Sequence, residues 1–250
     1  MVSVTELTSY IDEMLDAGSF KDYVVNGLQV EGRKEVRRLV SVVTACRALV
    51  EAAVHANADA MLVHHGYFWK GEDPCITGLK RQRLAPLLAH EISLLAYHLP
   101  LDAHPEVGNN AQLARVLELT VLGRFGEAPQ IAMWGELPRP MAAAAFAHHV
   151  AQALGRAPLH ISGGSAPIRT FGWCTGAGQK YIVEAVALGL DAYISGEISE
   201  QTVHVAREAG IHYFAAGHHA TERYGVAALG EHLAQKFKIE HLFIEIDNPA

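Results

Sequence analysis

Short β-branched apolar runs alternate with stretches of helical period along most of this chain. That rhythm restricts the fold more than any other feature. Leu39 to Val43 reads as a buried strand and Arg47 to Ala56 as a helix, and Met61 to Val63 is a short strand running into His64-His65-Gly66. Gln82 to His90 is helical, Ile92 to Tyr97 is a strand ending in His98, and Asn110 to Leu117 starts a further helix. The rhythm resumes with a strand from Thr170 to Cys174, a helix from Lys180 to Leu188, and a strand from Ala192 to Ser195 ending at Gly196-Glu197. A helix from Thr202 to Ala209 leads to a strand from Ile211 to Ala215, which ends at Gly217-His218-His219. Arg223 to Lys236 is the last helix and His241 to Ile246 the last strand. Such alternation predicts an α/β fold, a mostly parallel sheet with helices packed on it. Ahead of it, Ser3 and Glu6 have capping-box spacing. Leu7, Tyr10, Ile11, Met14 and Leu15 then share one helical face.

The two halves of the chain can be laid on each other. Arg38 to Thr44 matches Arg169 to Thr175, and Ala58-Asp59-Ala60 before His64-His65 matches Leu190-Asp191-Ala192 before Gly196-Glu197. Ile92 to His98 matches Ile211 to His218 within one residue. These matches lead to an expected internal duplication, residues 1–125 forming one α/β half and residues 126–250 the other. The turn-rich segment Gly123 to Pro140 is the expected boundary. If the halves face each other, ligands at equivalent strand ends converge in one cleft.

Composition narrows the function classes. Half of the 250 residues are apolar and 19% are charged, which excludes disorder. No stretch approaches the roughly 18 uncharged apolar residues of a membrane span. The N-terminus carries acids rather than Lys or Arg before its apolar positions, unlike a signal peptide. A net charge of −7 counts against a binder of duplex DNA. Cys46, Cys75 and Cys174 lack CxxC spacing, which argues against a disulfide framework or thiolate zinc and fits a reducing cytoplasm. Histidine stands out, with 15 residues.

Some of those histidines sit where chemistry is built. Open α/β sheets bind ligands at the carboxyl ends of their strands. There stand His64 and His65 before Gly66, His98 with Asp102 four residues on, and His218 with Glu222. His218 and Glu222 have the spacing that puts two side chains on one helical face. Imidazoles mixed with carboxylates suit Zn, Fe, Mn or Ni. His64, His65, Asp102, His218 and Glu222 are too many donors for one tetrahedral zinc. They suit two divalent ions roughly 3.5 Å apart, bridged by Glu222 and a water. His98 and Glu197 are the candidates for proton transfer beside them. Lys70, Lys80 and Arg81 form a basic cluster that would meet phosphate or lie in solvent. Tyr67-Phe68-Trp69 would stack on a base or cover a subunit contact, the contact being preferred. The turn Thr175-Gly176-Ala177-Gly178 would bind an anion at a helix start or serve tight packing.

Five segments together resemble one family. They are Asn26-Gly27-Leu28-Gln29-Val30-Glu31-Gly32, His64-His65-Gly66-Tyr67-Phe68-Trp69-Lys70-Gly71, His98-Leu99-Pro100-Leu101-Asp102-Ala103-His104-Pro105, Ser195-Gly196-Glu197 and Gly217-His218-His219-Ala220-Thr221-Glu222. The chain is similar, from its first helix to Asn248-Pro249-Ala250, to the Nif-three-like dinuclear-metal family, the GTP cyclohydrolase I type 2 homologues. The resemblance implies two similar, interlocked α/β domains with the metal site between the halves, and no inserted third domain in a chain this short. It implies a cytoplasmic, toroidal homohexamer with metal pairs facing an internal cavity. It also carries the metal-ligand role to His64, His65, Asp102, His218 and Glu222. The activity it implies is hydrolysis of a nucleotide, with GTP opened at guanine C8 and formate released. A phosphoesterase acting on damaged nucleotides and a ring-forming scaffold without turnover are the competing expectations.

Overall fold

The β-branched run around Val42 is buried on both faces, as a central parallel strand covered by helices must be. The computed structural model describes residues 1–250. Its elements begin with β1 (Val2–Ser3), α1 (Val4–Met14), β2 (Gly27–Val30), β3 (Glu35–Val36), β4 (Arg38–Thr44), α2 (Arg47–His55) and β5 (Ala60–His65). They continue with α3 (Gly78–Ala89), β6 (Ser93–Ala96), α4 (Leu99–Ala103), α5 (Asn109–Val116), β7 (Thr120–Phe125), β8 (Ala132–Met141) and α6 (Ala143–Leu154). The rest are β9 (Leu159–Ile161), β10 (Ile168–Cys174), α7 (Ile182–Ala187), β11 (Ala192–Ser195), α8 (Glu200–Ala209), β12 (His212–Ala215), α9 (His218–Phe237) and β13 (Glu240–Phe243). No helix is long and apolar enough to cross a membrane.

The chain divides into two compact units. Unit 1 holds Met1–Leu101 and Gly225–Asp247, and unit 2 holds Asp102–Tyr224 and Asn248–Ala250. Residues 102–125, read from the sequence as part of the first half, thus lie in unit 2, and β13 lies in unit 1.

Unit 1 is built on a five-stranded sheet of order β13-β4-β5-β6-β2. The first four strands are parallel and β2 runs antiparallel to β6. Val40, Val42, Leu49, Met61 and Val63 are in its core. Helix α1 starts where expected, with Ser3 Oγ accepting from the Glu6 amide at 3.1 Å.

Unit 2 has a six-stranded sheet of order β7-β8-β10-β11-β12-β9. Only β10–β11 and β11–β12 are parallel. The other three pairings are antiparallel, so this sheet is mixed rather than mostly parallel. Gly123 to Pro140, expected as a boundary, is instead most of the antiparallel hairpin β7–β8. Pro138 and Pro140 lie beyond the residues of β8 that pair with β7, where a missing N–H costs no bond to that neighbour. Phe146 packs on Phe171 and Phe214 in the core, with ring centroids at 4.2 and 5.1 Å.

The two sheets repeat one hydrogen-bond pattern, with β4 and β10 corresponding one residue off the sequence match, Leu39 with Phe171 rather than with Thr170. Leu39 pairs with Ala60 as Phe171 pairs with Ala192. The Ser93 amide donates to Asp59 O at 3.0 Å, as the His212 amide donates to Asp191 O at 3.0 Å. Tyr97 N to Val63 O and Ala216 N to Ser195 O are the matching bonds at the other strand ends, at 3.0 and 2.8 Å. Each unit also has a carboxylate clamping the start of a central strand. Asp59 accepts from the Arg37 and Arg38 amides at 2.8 and 2.9 Å, and Asp191 from the Arg169 and Thr170 amides at 2.9 and 2.8 Å. This repetition puts His64-His65 and Gly196-Glu197 at corresponding strand ends.

Candidate metal centre

In unit 1 three histidines gather at the carboxyl ends of β5 and β6. His64 and His65 are the last residues of β5, and His98 follows β6. Ring nitrogens of the three lie within 4.8 Å of one another. Ring centroids are 4.5 Å apart for His64 and His65, 5.0 Å for His64 and His98, and 5.7 Å for His65 and His98. His64 Nδ1 meets the carbonyl of Tyr97 at 2.9 Å. A carbonyl only accepts, so Nδ1 carries the hydrogen and Nε2 keeps the lone pair of the neutral ring. His98 is fixed in the same sense, its Nδ1 at 3.0 Å from Asp22 Oδ1. Asp22 also accepts from the Leu99 amide and from Asn26 Nδ2 at 3.0 and 3.1 Å. Burial would raise the Asp22 pKa, but its bond and charge interaction with His98 and these two donors hold it down at about 2. His65 Nδ1 lies 3.2 Å from Thr44 Oγ1 on the neighbouring strand. Metal-binding histidines are oriented through their second nitrogen in this way.

In unit 2 the carboxylates are buried and closely held. Asp102 in α4 is 6% exposed, and its Oδ1 accepts from Asn109 Nδ2 at 2.8 Å and Thr175 Oγ1 at 3.3 Å. Asn110, fully buried, braces both ends of that loop pair: its Nδ2 donates to Asp102 O at 3.2 Å and its Oδ1 accepts from the Thr175 amide at 3.0 Å. His218 opens α9 and Glu222 follows one turn later on the same face, as the spacing predicts. Glu222 is 3% exposed. His218 Nδ1 is 2.8 Å from Glu197 Oε1, and His218 Nε2 is 3.1 Å from Glu222 Oε2.

Those last two distances test whether the residues suit a metal. A carboxylate on Nδ1 requires a hydrogen there. In the neutral ring Nε2 then presents a lone pair to the lone pairs of Glu222, which repel at 3.1 Å. A cation must lie between them, either a proton or a metal ion. Burial alone would lower the His218 pKa, but Glu222 and Glu197 outweigh it and push it up to about 9. Glycine makes room for this corner. A Cβ on Gly176, at φ +60°, would stand 2.0 Å from Glu222 Oε1 and 3.0 Å from His218 Nε2. Gly176 therefore serves the packing of Glu222 and His218. Burial, then Asp102 and Glu222, push the pKa of the buried Cys174 thiol well up. Imidazole and carboxylate donors without thiolate fit a divalent ion. A cavity of about 570 Å³ opens beside the corner, with Arg156, Glu197 and His218 in its lining.

Other sequence readings resolve in the same detail. Tyr67, Phe68 and Trp69 go three ways. Tyr67 is buried, Phe68 is exposed, and Trp69 lies against His65 and His98 with ring centroids at 5.9 and 5.6 Å. Phe68 has φ +64°, a left-handed conformation costing on the order of 1–2 kcal/mol for a side chain with a Cβ. Lys80, read with Lys70 and Arg81 as phosphate-facing, instead binds Glu72 at 3.2 Å and closes its own loop. Thr221 Oγ1 donates to main-chain oxygen of Gly217 or His218 and accepts from the Gly176 amide at 3.0 Å. The sequence reading missed Asp22, Asn26, Asn109 and Asn110. Paired asparagines at the head of α5, next to an apolar run, were the available signal for the last two.

A model of the Duf34/NIF3 (NGG1p interacting factor 3) family matches residues 2–249. A Pseudomonas aeruginosa protein named GTP cyclohydrolase 1 type 2 homolog is 59% identical over 251 residues, covering 100% of this chain and 99% of its own. The solved structure of protein ybgI has a TM-score of 0.97 at 50% identity, with 100% of both chains covered. The structure of TTHA1606 from Thermus thermophilus has a TM-score of 0.91 at 34% identity, again over 100% of both chains. The matched positions span both units and every candidate ligand, and the chain belongs to the Duf34/NIF3 family.

Proposed function

We propose that this chain is a dinuclear-metal-dependent hydrolase acting on a nucleotide, with GTP cyclohydrolase chemistry as the specific reaction. In this reading His64, His65, Asp102, His218 and Glu222 are the ligands of two divalent ions. When bound, such a pair supplies Lewis acidity and a nucleophilic water near neutral pH. The observation that carries the reading is the convergence of ligand atoms, with ring nitrogens of His64, His65 and His98 within 4.8 Å of one another.

The chain's own groups supply the rest. Glu197 holds the His218 ring through Nδ1, so the direction of Nε2 is set before substrate arrives. His98, held at Nδ1 by Asp22, offers Nε2 for accepting and returning a proton. The cavity beside His218 admits a ligand, and Arg156 in its wall is held by the main-chain oxygens of Pro249 and Ala250 at 2.8 and 3.2 Å. The nucleotide is supported by the name of the 59% identical relative. A cytoplasmic homohexamer completes the proposal, and sedimentation velocity of the purified protein tests the assembly.

The reaction is tested by formate release from GTP. Protein reconstituted separately with zinc, manganese or ferrous iron is compared with Glu222→Ala. The proposal expects formate that requires both metal and Glu222. Inorganic phosphate without formate would replace it by the phosphoesterase reading, and metal binding without any turnover by the scaffold reading.

A further inference from the structure

Trp69 and Tyr23 form an aromatic wall against the histidine cluster of unit 1, and the metal-ligand reading leaves it unexplained. The Tyr23 and Trp69 ring centroids are 5.7 Å apart at 37°. Both rings meet His98 nearly edge to face, at 5.0 Å and 76° for Tyr23 and 5.6 Å and 74° for Trp69. Trp69 also leans over His65 at 5.9 Å. Tyr23 is 52% exposed, so its ring is open to a ligand from solvent.

The wall is held in place. Trp69 Nε1 donates to the Gly66 carbonyl at 3.2 Å, which fixes the indole. The Lys70 amide donates to Tyr23 O at 2.8 Å and ties the two loops together. Gln29 reaches the same loop, accepting from the Tyr67 amide at 2.7 Å and donating to Tyr67 O at 3.0 Å. Between Tyr67 and Trp69 the chain passes through the left-handed Phe68. That turn lets one ring enter the core while the next lies on the histidines. Backbone strain of this kind persists where the surroundings enforce it, and it gathers at ligand sites.

We propose that Trp69 and Tyr23 are a stacking subsite for the planar base of the substrate, beside the ring nitrogens of His65 and His98. The inference rests on the nucleotide reading above and deepens it: the base is held by ring stacking in unit 1, independently of the phosphates. A fixed indole and an exposed phenol present π faces at low entropic cost, and every purine has a π face to match. A base seated there would have its ring atoms next to His65 and His98.

Guanosine, which lacks phosphate, is the direct probe, with GTP and ribose 5-phosphate as companions. Binding is measured by equilibrium dialysis and by tryptophan fluorescence on wild type, Trp69→Ala and Trp69→Phe, with thermal melts to show that each variant folds. The proposal expects saturable guanosine binding that quenches Trp69. It expects a loss on the order of 10-fold or more in Trp69→Ala and a smaller loss in Trp69→Phe, which keeps a ring. Guanosine or GTP bound equally by wild type and folded Trp69→Ala would overturn the subsite and leave the nucleotide reading standing. Binding of GTP and ribose 5-phosphate but not guanosine would overturn it as well, by showing that phosphate alone is held. No binding of any of the three would overturn the subsite and the nucleotide reading together.

Discussion

Gly176 shows at the scale of one residue how the site depends on what is left out. Its φ of +60° already disfavours a side chain, and an added Cβ would overlap Glu222 Oε1. Gly176→Ala is therefore expected to displace the Glu222 carboxylate and to weaken metal binding by about 10-fold or more, the order seen when the support of a ligand is removed. Calorimetric titration with zinc or manganese measures this, and a thermal melt separates it from global unfolding. An unchanged affinity would mean that Glu222 has no part in holding metal. The sequence shows Gly176 as part of a glycine-rich turn, but its contact lies some 45 positions away along the chain, on Thr221 and its neighbours. The same reason hides Asp22 and Asn26, whose polar atoms serve His98 across 76 and 72 positions. His218 and Glu222 were legible because helical period alone brings them together. His64 and His65 were legible because they stand at the end of an apolar run.

Among the elements, strands with unambiguous apolar runs were readable, and the hairpin β7–β8 and the short β9 were not. β11 falls at Ala192–Ser195 as the sequence indicates. The hairpin β7–β8 was read as a boundary because Gly123, Pro138 and Pro140 look like linker residues. Its pairing is decided by register with β10, which a local pattern does not encode. β9, only three residues long, was likewise invisible, and it adds a titratable pair to unit 2. His160 on β9 stacks on Phe214 at 4.5 Å and 8°, and its Nε2 lies 3.1 Å from His212 Nδ1 on β12. Burial, then the other member of the pair, lowers the His160 pKa from 6.5, and burial lowers that of His212. Asp191 is the acid near His212, partly offsetting that burial. Groups with folded pKa values below their unfolded ones bind fewer protons when folded, so stability falls as pH drops below about 6.5. His160→Phe keeps the stack and removes one titrating group. It is expected to flatten the decline in melting temperature between about pH 7 and pH 5 relative to wild type. An equal or steeper decline would show that the β9–β12 pair does not contribute.

The whole molecule repeats one α/β arrangement in two units, each clamped by an equivalent aspartate and each carrying donors at the carboxyl ends of its parallel strands. The repetition was visible in the sequence as Asp59 and Asp191 before their short strands. The division of the chain was not, because β13 joins the sheet of unit 1 by parallel pairing with β4, some 200 residues earlier in the chain. A net charge of −7 does not favour a polyanionic ligand over the whole surface. Any nucleotide would have to be held by local groups rather than by the overall charge. The proposed ligand set for two divalent ions is His64, His65, Asp102, His218 and Glu222. Metal content per chain, measured by mass spectrometry after exhaustive dialysis, tests it most directly on wild type, His64→Ala and Glu222→Gln. The account predicts two equivalents in wild type and the loss of at least one in each folded variant, His64 representing unit 1 and Glu222 unit 2. No stoichiometric metal in wild type, or the same content in all three proteins, would contradict it.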